Sequence, residues 1–201
     1  MGREEQGMNV IHRGRREFLL ASASVVGETL LSRGAEASVA RALSLGELLY
    51  ESRHVLVGTA IDSYANWEEI GKRRAIVTYS LFRVEEALDG RGAPAPEITI
   101  RTLGGSVGDI GQTFHGEAVV ALNERATVFV HDAAPNLYVV TAMAQGHYPL
   151  IPDARGVHRL HAGFTSVAIP DLPDAAMRRL DGRTTPEAAE LIAREVDVGS
   201  R

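Results

Sequence analysis

From residue 44 onward the apolar positions change period several times, and each change marks an element. Ser44 followed three residues later by Glu47 has the form of a capping box, and Leu45, Leu48 and Leu49 give the short helix it opens an apolar side. At "HVLVGTAID", residues 54–62, the pattern turns to β-branched and apolar residues and predicts a strand. A polar link, "SYANWEEIGKRR", carries Trp67 and leads to "RAIVTYSLFRVEEAL", residues 74–88. There Ile76, Thr78, Ser80, Phe82 and Val84 share one face and Val77, Tyr79 and Leu81 the other, as in one long, bent strand.

The loop "DGRGAPAP" ends this run, and "EITIRTL", residues 97–103, alternates as a strand. A glycine-rich stretch follows, and "QTFHGEAVVAL" after it has a β-like pattern. Beyond it "ATVFVHD", "LYVVTAM", "HYPLI" and "GVHRL" predict strands over 126–132, 137–143, 147–151 and 156–160. Two helices close the chain: residues 173–180, and a second that starts at Thr184 or Thr185, with Pro186 in its first turn. Leu191, Ile192 and Val196 line one side of the second helix and are expected to dock on the β structure. The fold class is mainly β: a small barrel or sandwich with a short N-terminal helix and C-terminal helices.

Charge and cysteine content remove several classes. A formal net charge of −5 lacks the clustered Lys and Arg that neutralise phosphates, so no nucleic-acid partner is expected. Without cysteine there is no disulfide framework, thiolate zinc site, iron–sulfur cluster or cysteine nucleophile.

The first 40 residues have the order of an address: arginines, a weakly apolar run of small residues, then Ser38-Val39-Ala40, with small side chains where a signal peptidase requires them. The run is too short and polar to span a membrane stably. "RREFLL", with Arg15, Arg16, Phe18 and Leu19, resembles the twin-arginine motif of bacterial export signals. That resemblance implies recognition by the export machinery, cleavage after Ala40 and a periplasmic or extracellular location. Residues 41–201 would then form one domain with no stable membrane span.

"VLVGTAID" and "MAQGHYPLIPDARGVHRL" resemble strand patterns of uncharacterised exported bacterial proteins with an OB-type barrel, similar to netrin and metalloprotease-inhibitor modules. The resemblance implies a small OB-like barrel over residues 44–160 and no site residue, because those inhibitors act through an N-terminal Cys absent here.

The glycines at 104, 105, 108, 111 and 116 invite a phosphate-loop reading. Such a loop needs a following helix and a basic residue in reach, whereas "GGSVGDIG" has neither the spacing nor the Lys and carries Asp109. Glycines 105, 108 and 111 are therefore expected to supply positive φ angles or bulges where the chain turns a corner. Ser106 lacks the strand-to-helix context of a nucleophile elbow. His158 and His161 point to opposite faces if they lie on a strand, and His115, His131 and His161 form a metal trio only if the fold gathers them. Asp109 with Glu117 is a carboxylate pair of unreadable separation. Trp67 and Tyr64, in the polar link, form a candidate aromatic contact for a sugar or peptide.

These features converge on an exported, non-enzymatic binding or accessory module with no cofactor and an unidentified protein, peptide or glycan partner. Two alternatives stand beside it: a metal-dependent hydrolase using the histidines with Asp109 or Asp132, and an inhibitor of an external protease.

Overall fold

The computed structural model describes residues 41–163 and 173–199. The export motif Arg15, Arg16, Phe18 and Leu19 and the cleavage residues Ser38 and Ala40 lie outside the described residues. Helix α1, Leu45–Glu51, opens as expected: the Ser44 hydroxyl accepts from the Glu47 amide at 3.2 Å, and the Glu47 carboxylate accepts from the Ser44 amide at 2.9 Å. Nine strands follow: β1 His54–Ile70, β2 Arg73–Ala87, β3 Glu97–Leu103, β4 Gly105–Val107, β5 Ile110–Gln112, β6 Arg125–Ala134, β7 Leu137–Val140, β8 His147–Pro152 and β9 His158–Leu160. Helices α2, Ala176–Leu180, and α3, Thr185–Gly199, come last.

Seven strands form one mixed sheet in the order β1-β2-β3-β7-β6-β8-β9, and β1 also pairs with β6. That extra pairing closes β1, β2, β3, β7 and β6 into a five-strand ring, antiparallel except where β3 runs parallel to β7. The ring's interior is a continuous apolar cluster that includes Leu56, Phe82, Ile98, Ile100, Val128 and Val130. The alternate residues Val55, Val57 and Phe129 face outward into a second cluster with Leu45, Leu48, Leu180 and Ile192. Strands β1 and β6 are thus buried on both faces where the helices lie, which explains their unbroken apolar runs. The α3 stripe docks in this outer cluster, with Ile192 fully buried and Leu191 and Val196 packed at its margin.

Four local expectations change. The polar link is strand: β1 continues to Ile70 and forms with β2 a long antiparallel arm closed by Gly71 and Lys72. The predicted strand over 137–143 stops at Val140, because Ala142 and Met143 adopt left-handed φ angles of 53° and 58° and open a 3-10 turn, Met143–Gly146. The β-like segment after β5 forms no ladder; it crosses the end of the ring and buries Ala118 and Val120. The last predicted strand shrinks to His158–Leu160 after a turn at Asp153 and Gly156.

Beyond Ala60 no described strand pairs with the outer edge of β1. Ile76 donates its amide to the Gln112 side chain and offers its carbonyl to Gly104, so its cross-strand partner Trp67 turns its own N–H toward that edge. The Asn66 side-chain oxygen accepts that N–H at 2.8 Å, and Asp62 does the same for Ser63 four residues earlier.

Candidate functional site

The glycine stretch resolves into corners rather than a cradle. Gly104 and Gly105 have φ angles of 100° and 122°, and a side chain at Gly105 would stand 2.3 Å from the Thr78 hydroxyl. The chain can therefore leave β3 and lay the β4–β5 hairpin against the arm. Gly108 supplies the positive φ of the hairpin turn beside exposed Asp109; Gly111 does not have one, which corrects the expectation for that position. No helix follows within this stretch. Ser106 sits on β4 opposite Gly111.

The histidines stay apart. His131 on β6 approaches the Thr141 hydroxyl at 3.2 Å, His161 lies 3.9 Å from Asp181, and His115 is exposed on the segment crossing the ring. Among the described residues no group of three or more His, Asp or Glu side chains could hold a metal ion. Asp132 faces Arg53 at 3.9 Å, with both side chains exposed. His158 is exposed on β9, paired with Pro152.

Tyr64 and Trp67 fall on opposite faces of β1, three residues apart with no bulge between them. Trp67 receives the Arg74 guanidinium over its ring at 5.0 Å. Tyr64 stacks on its cross-strand partner Tyr79 at 5.1 Å and stays 61% exposed.

The Tyr64 face leads to a cavity. Tyr79 pairs with Arg101 on β3, and Arg101 pairs with Val139 on β7, so these residues form one row on the ring's outer surface. Glu68, farther along the arm, accepts from Arg101 at 2.7 Å and 3.2 Å and also receives the Tyr79 hydroxyl. This clamp folds the arm over β3 and carries Ile70 to the rim of a cavity of about 230 Å³. Ile70, Leu103, Val139, Val140 and Met143 give it apolar walls, and Arg101 and Glu117 supply its charge.

Glu117 reaches the cavity from the segment that crosses the ring, held there by a hydrogen bond from the Ala144 amide to the neighbouring Gly116 carbonyl. Burial pushes its carboxyl above the usual range, and the backbone amides of Ala118 and Leu103 and the charge of Arg101 only partly offset that effect. Glu68 moves the other way, held low by Arg101 and then by Tyr79. One wall is strained, because Ala142 and Met143 are consecutive non-glycine residues in the left-handed region. Desolvated carboxyl, guanidinium and strained turn meet at one concave apolar site, the combination expected of a binding pocket.

A larger groove of about 340 Å³ runs between α1 and α3, but its charged groups are already engaged. Arg91 donates to the Ser52 and Arg53 carbonyls, and Glu195 pairs with Arg179. The carboxyl of the cavity had been singled out in sequence only as a partner for Asp109; its true neighbours, Arg101 and Met143, carry no spacing signal. No protein-family model, curated protein or solved structure matches the chain.

Proposed function

We propose that the chain is an exported, non-enzymatic binding module built on an OB-type barrel, and that its ligand occupies the cavity between Arg101 and Glu117. The observation that carries this reading is the half-buried Glu117 carboxyl opening, beside a guanidinium, into mostly apolar walls. The closed β1-β2-β3-β7-β6 ring supports the barrel reading, an OB fold being a five-stranded Greek-key barrel. Binding rather than catalysis is favoured by the lining. It offers one carboxyl, the Thr102 hydroxyl and a guanidinium already engaged by Glu68, and no histidine. Tyr64 keeps its place as a candidate contact at the margin of this face, whereas Trp67 stiffens the arm from the other side. The twin-arginine resemblance supports export, and among the described residues no helix is long and apolar enough to cross a membrane.

Met143→Trp, which fills the cavity from its partly exposed wall, tests the site. A small-molecule panel is expected to raise the thermal midpoint of the wild-type chain and to leave a folded Met143→Trp variant unmoved. Equal shifts in both would place the ligand elsewhere. Export is read by N-terminal sequencing of protein from the producing cell's exported fraction. A start near Arg41 supports it, and an intact Met1 in a purely cytoplasmic pool overturns it.

A further inference from the structure

The cavity's polar groups define a ligand class, an inference that rests on the binding-site reading above. Arg101 presents N–H donors only, and Glu68 engages it through Nε and Nη2, leaving other donors of the five on a guanidinium. The remaining polar groups are the Thr102 hydroxyl, which can donate or accept, and the Glu117 carboxyl, in walls that oppose its ionisation. In its neutral form a carboxyl is also a donor. A ligand head facing two donors must be an acceptor, and five of the eight lining residues are apolar. A cation would meet Arg101 and demand an ionised Glu117. A purely apolar ligand would strip water from these polar groups and return no hydrogen bond.

We propose that this cavity binds a small aliphatic or aromatic carboxylate, whose head accepts hydrogen bonds from Arg101 and from the Glu117 carboxyl while its apolar body packs on Ile70, Leu103, Val139 and Met143. The cavity volume of about 230 Å³ corresponds to roughly eight water molecules, which limits the body to a short chain or a single ring. Binding places a carboxylate beside Glu117 and so favours proton uptake by that residue. Affinity therefore falls as pH rises past the value at which Glu117 ionises in the free protein, which lies above the usual 4.5. Arg101 acts on Glu117 from β3, Glu68 and Tyr79 are bonded to Arg101 from the arm, β7 and the 3-10 turn present Val139, Val140 and Met143, and His115 on its own segment is exposed.

The test is isothermal titration of the full chain with hexanoate, benzoate, hexanamide and hexanol, at about pH 5.5 and about pH 8. Hexanoate or benzoate is expected to bind about tenfold or more tightly than hexanamide at the lower pH, the scale of one charge-assisted hydrogen bond. Paired buffers of different ionisation heat are expected to show net proton uptake over the pH range in which the affinity falls. This measurement needs no variant, so a folding defect cannot obscure it. Glu117→Gln is expected to abolish the proton uptake and flatten the pH dependence, and Arg101→Gln to erase the preference for carboxylate over amide. Tyr50→Ser, on the opposite helical side, should leave the affinity unchanged. Binding of hexanol or hexanamide with no carboxylate preference would overturn the ligand class and leave the pocket standing; carboxylate binding whose affinity is flat with pH and takes up no proton at either pH would overturn the role of Glu117. No binding by any probe would overturn both this proposal and the binding-site reading.

Discussion

Gly58 is where the ring is most tightly closed, and replacing it with alanine tests that closure. It pairs with Val84 on β2 and Ala126 on β6, immediately after a register shift in the β1–β2 ladder. Its φ lies outside the left-handed region, so space alone demands glycine. An added Cβ would stand 2.2 Å from the Arg83 carbonyl oxygen and 2.6 Å from a ring carbon of Phe82. Ordinary carbon–oxygen contact begins at about 3.3 Å, so β2 would have to retreat by about 1 Å. Phe82 cannot yield, being fully buried inside the ring. Overpacking costs about 1–3 kcal/mol. Two weakened ladder bonds add about 1–2 kcal/mol. The smaller unfolded-state entropy of alanine returns about 0.4–1 kcal/mol. The net loss is about 2–4 kcal/mol, or a fall in thermal midpoint of about 5–15 °C for a domain of this size. Urea unfolding of the full chain, followed by the fluorescence of its single Trp67, reads the change. Gly71→Ala is the control: it has open space and φ of 63°, so it should lose only about 1 kcal/mol. A Gly58→Ala variant within about 0.5 kcal/mol of wild type would refute the steric reasoning and show slack between β1 and β2.

Further outcomes follow from the same contacts. Phe82→Ala should cost about 3–5 kcal/mol by chemical denaturation, since its ring fills the interior. Glu68→Gln breaks a partly buried, doubly bonded clamp and should cost about 1–2 kcal/mol at neutral pH. Because the folded-state pKa of Glu68 is lowered, that contribution is present above its usual 4.5 and is lost as pH falls through the lowered value, so variant and wild type should converge in acid. Glu117 has the opposite sign: its raised pKa favours the fold below 4.5, an advantage lost as pH rises through the folded value. Glu117→Gln should therefore gain stability relative to wild type between acid and neutral pH in parallel urea titrations. Ala142→Gly relieves one left-handed residue and should raise stability by up to about 1 kcal/mol by calorimetry.

The elements with strong periodicity were legible. The Ser44 capping box, the alternation of β3 and the Ile192 stripe each depend on neighbours close in sequence, and each forms where the pattern puts it. The arm was not legible, because residues 61–73 bury no continuous apolar face; cross-strand pairs such as Tyr64 with Tyr79 and Trp67 with Arg74 hold it instead. Ala142 and Met143 turn the chain without the glycine that announces a left-handed position. The cavity was the least visible feature. Arg101 is an ordinary outward residue of an alternating strand, and its partners Glu68 and Glu117 meet it only when the arm curls and residues 113–124 cross the ring.

A strand of 17 residues whose margin pairs with no described strand along much of its length is a template on which another extended chain can grow. In this arm the template is spoiled from within. The outward amides of Ser63 and Trp67, four residues apart, are occupied by the preceding Asp62 and Asn66, so an incoming strand would find two donors of this edge already taken. The same short polar side chains that made this stretch look like a linker keep the protruding ribbon from seeding β-aggregation, and so let a long, thin extension persist next to a pocket that depends on its curl.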